Sequence, residues 1–447
     1  MALNTAVMQA VEKLGYRVTV GDVASKAGLE INLAEQGLLA LASEAGGHLQ
    51  VAESGEVAYL FPRNFRDILR NKYWRLRLQE WWQKVWDVLF YVIRVSFGIL
   101  LILSIVLIFL SILVIYVALN SRSDGEGGGG GDRGYGGGRG GFYIPFYWFS
   151  YDWYWIFHPG YRRHRASVPQ RNRGRSRGGS ENQINFLEAI FSFLFGDGNP
   201  NADLEERRWQ TIATVIRNNG GAVAAEQIAP YLDNVERDVQ LDQEDYIIPV
   251  LSRFNGRPEV SPTGQIIYHF PELQVMAARH GSQPVSAYLR ETPWKFSQAS
   301  SGQIIGAIGL GGVNLIGALM LGNLLSNGAI AAELGGLVAF VAGIYWLLLG
   351  YGIGFLTLPL LRYFWVQWRN KAVEARNEKR QERAVALNQA GGEIQQKIAF
   401  AQQFVSQTVI TEADLAYTTE QDLTEQEAQN VDKIDAEWRR RLEQSES

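Results

Sequence analysis

One sequence pattern occurs twice in this chain, and this repeat constrains the fold more than any other feature. Residues 51–62 match residues 260–271 without a gap, through the pairs Val51/Val260, Gly55/Gly264, Tyr59/Tyr268, Phe61/Phe270 and Pro62/Pro271. The same register continues upstream, where Glu35, Leu38, Leu39 and Leu41 align with Glu244, Ile247, Ile248 and Val250. Val18, Val23 and Ala24 align with Val223, Ile228 and Ala229 if the second copy contains four extra residues. The chain is therefore predicted to contain one structural unit twice.

The order of elements within each copy follows from the spacing of apolar residues. In the first copy, helical spacing from Ala6 to Leu14 stops at Gly15, and further helices are predicted over residues 19–25 and 31–43. Two alternating segments around Ser54 and Gly55 then predict a β-hairpin. Three helices followed by a two-stranded wing is the order of a winged-helix domain. We expect two such α+β domains, one over residues 1–62 and one over 181–271, where a short amphipathic helix precedes the second copy.

Three apolar segments predict membrane spans. The uncharged run 95–119 is long enough to cross a bilayer, and residues 301–365 predict a membrane hairpin with spans at Ile304–Leu325 and Leu334–Leu356. A connector over 272–300 precedes the hairpin, and a charged helical tail over 366–447 follows it, beginning with a long helix from Val366 to about Val409. The predicted fold class is a mainly α membrane protein with two winged-helix-like domains, transmembrane helices and a helical C-terminal tail.

Aromatic and basic residues flank these spans, as is typical of membrane–water interfaces. Residues 63–94 predict a basic helix lying at the interface, with Trp74, Trp81 and Trp82. Residues 120–180 form a Gly-rich linker followed by aromatic residues and arginines, which indicates a segment in the headgroup layer of anionic lipids. The candidate membrane-interface residues are Trp74, Trp81, Trp82, Trp148, Trp153, Arg162, Arg163, Arg165, Trp365 and Trp368. Membrane lipids are accordingly predicted partners.

Charge distribution leaves the membrane topology open. The loop between the last two spans lacks Lys and Arg, which predicts that this loop is non-cytoplasmic and the second copy cytoplasmic. Seven basic residues before the first span predict that the first copy is also cytoplasmic, and one crossing at 95–119 cannot satisfy both. Residues 142–157 could return through the bilayer, the first apolar segment could be re-entrant, or the number of crossings could be odd.

Enzyme, cofactor and metal sites are not indicated by the sequence. The chain has no cysteine, which excludes disulfides, cysteine-ligated zinc or iron–sulfur clusters and cysteine nucleophiles. Its five histidines are scattered without metal-ligand spacing. The segment Asp197–Asp203 has alternating oxygen ligands, but Ala202 and Arg208 occupy positions where a calcium loop needs Gly and Glu, so a turn before a helix is favoured. We expect neither catalytic residues nor a cofactor.

The charge balance argues against nucleic acid as a partner. The formal net charge is −4, and residues 1–62 contain three Lys or Arg against seven Asp or Glu. The third helix, which reads DNA in winged-helix regulators, has no Lys or Arg in this first copy. Phosphate contacts require cations. Protein partners at or near the membrane are therefore expected.

Several separate motifs resemble a family of membrane proteins from cyanobacteria and plant chloroplasts. These motifs are Gly15–Ala24, Arg94–Gly98, Phe191–Gly198 and Ala229–Asp233, and the resemblance covers most of residues 15–370. It implies a cyanobacterial plasma or thylakoid membrane for this chain and a plastid membrane in plants, and the charge distribution predicts soluble domains in the cytoplasm. Some plant members of the family carry an iron–sulfur-cluster-biosynthesis label, but this chain has no cysteine to ligate a cluster.

Taken together, these features favour an integral membrane scaffold or assembly factor that presents two protein-interaction domains. A membrane-tethered transcription regulator is one alternative, and it requires DNA binding by residues 1–62. A transporter or channel component is another, with Asn314 and Asn323 as the polar candidates within the bilayer. Glycine pairs such as Gly350 and Gly354 would allow close helix approach, including association into a homo-oligomer.

Overall fold

A computed structural model describes residues 4–72, 74–123, 184–233, 244–279, 281–326, 328–389 and 391–426, together with Val431, Asp435, Trp438 and Arg439. The predicted linker therefore lies almost wholly outside the described residues. The elements before it are α1 (Thr5–Lys13), β1 (Arg17–Thr19), α2 (Val20–Ala27), α3 (Ile31–Ala45), β2 (His48–Ala52), β3 (Val57–Leu60), α4 (Phe65–Lys72) and α5 (Trp74–Ser123).

The elements after it begin with a short apolar helix and continue through the second copy. They are α6 (Phe186–Phe195), α7 (Leu204–Asn218), β4 (Ala222–Val223), α8 (Ala225–Ile228), α9 (Ile248–Phe254), β5 (Arg257–Val260), β6 (Ile266–His269), α10 (Pro271–Gln274) and β7 (Val275–Met276). The remainder are α11 (Ser301–Leu325), α12 (Ala329–Leu334), α13 (Gly336–Gly343), α14 (Tyr345–Asn388), α15 (Gly392–Ala401), β8 (Thr408–Val409) and β9 (Leu415–Thr418). The protein is mainly helical with small sheets.

The chain divides into two compact bodies. Body 1 contains Met1–Trp81, Pro200–Pro293 and Lys371–Ser447, and body 2 contains Trp82–Asn199 and Trp294–Asn370. Both copies of the repeated pattern belong to body 1, and three helices long and apolar enough to cross a membrane contribute to body 2.

The two copies in body 1 pair their strands in matching registers. Both predicted β-hairpins are confirmed: Val51 is opposite Val57 in the first copy, and Val260 is opposite Ile266 in the second. A third strand joins each hairpin, where Val18 is opposite Tyr59 and Val223 is opposite Tyr268. These are the pairs that the sequence alignment made equivalent, including its four-residue offset upstream.

Burial follows the same alignment. Leu38 and Ile247 are buried, as are Leu41 and Val250, while Leu39 and Ile248 are exposed. The buried residues of both copies belong to one hydrophobic cluster, which includes Val11, Trp209 and Phe254. Body 1 therefore has one core to which both copies contribute, and burial of this apolar surface is its main source of stability.

Local signals explain where the helices of the first copy begin and end. The Thr19 hydroxyl accepts from the backbone N–H of Asp22, and the Asp22 carboxylate accepts from the N–H of Thr19, which forms a capping box at the start of α2. Gly28 ends α2 in the left-handed conformation at φ 63°, which favours glycine. A side chain at Gly28 would also crowd the start of α7, so glycine permits the close approach of the two copies.

The predicted interfacial helix 63–94 is not separate from the first span. The structure describes one continuous helix, α5, from Trp74 to Ser123, of which Trp81–Ser121 is the candidate span. The sequence between residues 74 and 94 contains neither Pro nor Gly, so no residue there breaks the helix.

The second half of the membrane hairpin also differs from the prediction. α11 agrees with the first predicted span, but the apolar run 334–356 is divided among α12, α13 and the start of α14. Gly335 has φ 57° and ψ −156°, a conformation that side chains disfavour and that ends the helix. The third candidate span is therefore α14, which begins at Tyr345.

The tail is not wholly helical, and the predicted helix from Val366 to about Val409 is wrong at both ends. α14 continues from the apolar segment to Asn388, and α15 ends at Ala401. Beyond it, β8 pairs in parallel with β7, and β9 adds to the edge of β2 in the first copy. The four-stranded sheet has the order β1-β3-β2-β9, whereas the sheet of the second copy has the order β4-β6-β5.

Candidate interaction surfaces

Body 2 presents a large apolar surface. Large hydrophobic side chains are exposed along α5, α11 and α14, including Leu113, Ile305 and Leu361. Such a surface exceeds what a soluble monomer tolerates and matches three helices that could cross a bilayer. Membrane association is the arrangement that removes this surface from water.

The described candidate tryptophans are all exposed. Trp74, Trp81 and Trp82 lie on α5, and Trp365 and Trp368 lie on α14. Within body 2, the rings of Trp365 and Trp294 are 5.3 Å apart, and Arg369 lies 5.2 Å and 5.1 Å from them. An arginine over two indole rings combines a cation–π contact with amphipathic aromatics, which suits a membrane interface. Trp148, Trp153, Arg162, Arg163 and Arg165 lie outside the described residues.

The glycine pair named from the sequence, Gly350 and Gly354, faces open space. A side chain added at either position would meet no atom of the described chain within 4 Å. Close approaches in body 2 include Gly311, beside Phe355, Gly322, beside Tyr345, and Gly352, beside Asn314. Gly350 and Gly354 therefore do not bring described helices of this chain together, and their use in a homo-oligomer stays a prediction.

One of the two polar candidates in the apolar helices is buried. Ser104 of α5 donates to the Asn314 side-chain oxygen at 2.7 Å, while the Asn314 nitrogen has no partner among the described residues. Asn323 is exposed on the same helix. The two asparagines therefore do not form a joint polar site, and the Ser104–Asn314 bond connects α5 with α11.

An ion pair links the two copies in body 1. Arg217 of α7 contacts the Asp22 carboxylate of α2 at 2.5 Å, and its other hydrogen bonds go to the carbonyls of Leu273 and Val275. Asp22 is buried, and its second oxygen accepts from the N–H groups of Thr19 and Ala277. Asp22 therefore caps α2 and also links the two copies. Its several donors offset the cost of burying a carboxylate.

Buried arginine holds α14 against the second copy. Arg380 is 1% exposed and donates to Asp233, to Glu291 and to the Leu289 carbonyl. Arg376 donates to both oxygens of Glu291, at 2.8 and 2.6 Å. Burial alone would raise the pKa of Glu291, but these two arginines outweigh burial and hold the pKa below its ordinary value.

A lysine makes the corresponding connection for α15. Lys397 pairs with Glu226 and Glu244, and the Tyr268 hydroxyl donates to Glu244 at 2.7 Å. Burial would lower the pKa of Lys397, but the two carboxylates outweigh burial and raise it. Burial and the hydrogen bond to Glu244 raise the pKa of Tyr268, so this phenol stays protonated. The cluster is a structural attachment within body 1.

The third helices expose apolar residues at equivalent positions. Leu39 on α3 is 44% exposed, and its counterpart Ile248 at the start of α9 is 56% exposed. The outward face of α3 also contains Leu33, Glu35 and Gln36, without a cation. This face combines apolar and acidic groups, a pattern that suits a protein partner better than a phosphate backbone.

The described residues contain no group of three or more His, Asp or Glu positioned to hold a metal ion. In the calcium-like segment, the Asn201 side chain exchanges hydrogen bonds with the backbone of Thr292, and Asp203 pairs with Arg207. Asp197 accepts from Ser192 and from the backbone of Gln298. These oxygens therefore serve turns and side-chain contacts.

Arg380 and Trp294 were missed from the sequence, and Arg362 was predicted only as part of an interfacial belt after the last span. Arg362 donates to the carbonyls of Ser192 and Phe193 at the end of α6, where a cation offsets the helix dipole. Basic residues are usually exposed to solvent, so the sequence pattern did not predict the burial of Arg380. For Arg362 and Trp294, the available signal was their position beside a predicted span.

Comparison with known proteins identifies a relative that this chain matches over most of its length. The chain is 36% identical over 454 residues to the Arabidopsis thaliana protein "Uncharacterized protein At5g03900, chloroplastic", and the match covers 98% of this chain and 82% of the relative. No family model matches the chain, and no solved structure is similar to it.

Proposed function

We propose that this chain, which belongs to the same family as the Arabidopsis chloroplast protein, is an integral membrane scaffold or assembly factor of a photosynthetic-type membrane. In this proposal, body 2 anchors the protein through its three apolar helices. Body 1 presents two winged-helix-like domains, which arose by duplication and bind membrane or membrane-proximal proteins.

The observation that carries the proposal is the pair of exposed apolar residues Leu39 and Ile248. Isolated exposed hydrophobics are common on protein surfaces. Here, however, the exposed positions are equivalent in two copies, and the neighbouring Leu38 and Ile247 are both buried. The matching strand registers support the duplication, and the element order helix–strand–helix–helix–hairpin supports the winged-helix assignment.

The charge of α3 favours a protein partner with apolar and basic groups. Glu30 and Glu35 are accessible at this helix, and no Lys or Arg lies on it. A transcription regulator would need cations on this face to bind phosphates. Fluorescence anisotropy with duplex DNA checks this alternative, and salt-sensitive binding by the full chain in detergent would favour it over the scaffold.

The test is site-specific photocrosslinking in membranes of the native host. A photoreactive amino acid replaces Leu39 or Ile248 in the tagged full-length chain, and the crosslinked products are identified by mass spectrometry. We expect discrete heterologous proteins from at least one of these positions. The matched control is Val260, an exposed apolar residue of the second wing, 63% accessible.

Products from Val260 that equal those from Leu39 and Ile248 would contradict a specific surface. Recovery of only this chain, or of only lipid adducts, would overturn the scaffold and favour a self-associating channel or transporter. Replacement of both Leu39 and Ile248 by Ser should remove the crosslinks from nearby positions while the protein stays folded, because both side chains are exposed.

A further inference from the structure

Two adjoining cavities lie in body 1 beside the ion pair that links the copies. Their volumes are about 320 and 430 Å³, and both are lined by Ser25, Thr214, Arg217 and Gln283. Cavities of this size accept small ligands. The shared wall contains residues from both copies of the repeat, so the cavities exist only because α2 and α7 pack together.

Each cavity has its own exposed cation. Lys26 lines the first and Arg279 lines the second. Neither makes an ion pair with another residue in the described part of the chain. These positive charges stand out because residues 1–62 are acidic overall, with Lys26 as one of only three basic residues. A concave surface with cations at both ends attracts an anion.

The acidic residue in the cavity wall does not cancel this attraction. One oxygen of Asp22 contacts Arg217, and the other accepts from the N–H groups of Thr19 and Ala277. Arg217 balances the charge of Asp22, so Lys26 and Arg279 leave the cavities with net positive charge. Nη1 of Arg217 has no hydrogen-bond partner among the described residues and provides a further donor.

Ser25 provides a further hydrogen-bond donor in the wall that the two cavities share. Its side chain is buried, with the residue 8% exposed, and it lines both cavities. In the described structure its hydroxyl makes no hydrogen bond, unlike Thr211 and Thr214, which donate to helix carbonyls one turn before them. This hydroxyl faces the cavities and can donate to an acceptor bound there.

We propose that this cleft between the two copies, lined by Ser25, Lys26, Arg217 and Arg279, binds a small phosphate-bearing molecule. Phosphate oxygens accept strong hydrogen bonds from guanidinium, ammonium and hydroxyl donors, which are the groups available here. The lining residues include no aromatic side chain on which a nucleobase could stack. The ligand class is therefore a polyphosphate or a sugar phosphate, and it is independent of the scaffold proposal.

Isothermal titration of the full-length chain in detergent tests the site with phosphate, pyrophosphate and glucose 6-phosphate as probes. We expect saturable binding of at least one probe. Lys26→Gln and Arg279→Gln should each weaken this binding roughly 10- to 100-fold, as is typical for loss of a hydrogen bond to a charged group. Ser25→Ala should weaken it without a change in protein charge.

The matched controls are Arg257→Gln and Arg290→Gln, which remove exposed cations of body 1 that do not line the cleft. Unchanged affinity in these controls, with loss in the cleft variants, supports the site. Equal loss in both sets identifies nonspecific charge attraction and overturns the proposal. Absence of binding of all three probes at millimolar concentration also overturns it. Binding of phosphatidic acid vesicles alone would reassign the phosphate to a lipid headgroup.

Discussion

The two copies of the repeat differ most in how the C-terminal tail attaches to them. In the second copy, the outer face of the sheet, with Ala222 and Ile267, packs against Phe400, Ala401 and Phe404 of the tail. In the first copy, the equivalent face, with Ala52 and Ala58, packs against Val275, Ile410 and Leu415. One sheet is thus covered by a helix and a following turn, and the other by extended chain.

The outer strands of the two hairpins, β2 and β5, also differ in whether another strand pairs with them. Antiparallel strands alternate the direction of their N–H groups, and Ala52 and Ser261 point theirs towards the hairpin partner. Leu49 therefore points outward, and its N–H donates to the Thr419 hydroxyl beside β9. The aligned residue in the second copy is Pro258, which has no N–H. Proline protects an open edge, so the second copy needs no added strand.

The chemistry of attachment also separates the copies. Ion pairs of Arg380 and Lys397 attach the tail to the second copy, and Arg376 pairs with Glu291 of the connector. Hydrogen bonds to backbone carbonyls attach the tail to the first copy, from Thr419 to Leu49, from Glu53 to Asp414 and from the Arg17 side chain to Ile410. The two repeated segments therefore share equivalent core positions while their surfaces contact different parts of the tail.

The largest expected effect is from Arg380→Met. Arg380 is almost fully buried, and its loss leaves the buried Glu291 and half-exposed Asp233 with fewer donors. We expect a loss of about 3–5 kcal/mol in the free energy of unfolding of body 1, the range for breaking a buried ion pair. Chemical denaturation in detergent, followed by limited proteolysis, measures it. Arg257→Met is the exposed control, and an equal effect there would contradict the assignment.

A pH series should affect the two ionic attachments of the tail, one through Glu291 and one through Lys397, in opposite directions. The pKa of Glu291 is lowered, so its contribution is present above the ordinary carboxyl value and is lost as the pH falls through the folded pKa. The pKa of Lys397 is raised, so its contribution is present below the ordinary amine value and is lost as the pH rises through the folded pKa.

Hydrogen exchange measured across a pH series should therefore show opening of residues 371–388 in acid, where Glu291 becomes protonated, and of residues 392–401 in alkali, where Lys397 becomes deprotonated. Glu291→Gln should remove most of the acid sensitivity of the helix. Simultaneous opening of both segments would show that their attachments are not independent.

Removal of β9 should lower the free energy of unfolding less than Arg380→Met does, but it should promote self-association of the protein. Truncation after Asp414 removes the strand and the hydrogen bonds between Thr419 and Leu49. We expect a loss of about 1–2 kcal/mol from these bonds and concentration-dependent self-association through the open edge of β2. Light scattering detects the association. Truncation after Gln426 retains β9 and should remain unchanged.

The smallest expected effect is from Pro258→Val. The free energy of unfolding should change by less than about 1 kcal/mol, because β5 is an edge strand. The new outward N–H should nevertheless make the second copy prone to edge-to-edge association. Arg257→Val adds β propensity without a new donor and is the control. If both variants associate equally, hydrophobicity and not the edge N–H is the cause.

Prediction from sequence succeeded where the signal was local. Helix α1, both hairpins and α11 follow from apolar spacing and glycine positions, because side chains three or four residues apart share a helix face and alternate residues share a strand face. The break at Gly335 and the continuation of α5 from Trp74 were missed, although both are also local. The prediction took the limits of each helix from the apolar run alone. In the structure, the backbone conformation of Gly335 ends one helix, and the absence of Pro and Gly lets α5 begin at Trp74.

The sequence by itself determined the apolar helices, the acidic character of the repeated units and the equivalence of their core positions. Tertiary structure alone decided that Arg380 and Asp22 are buried, that Thr408–Val409 and Leu415–Thr418 are strands, and that the cleft beside Ser25 exists. These features depend on partners more than a hundred residues away along the chain, such as Arg217 for Asp22. Short strands have too little periodicity of their own, and burial of a charge requires donors that only folding brings together.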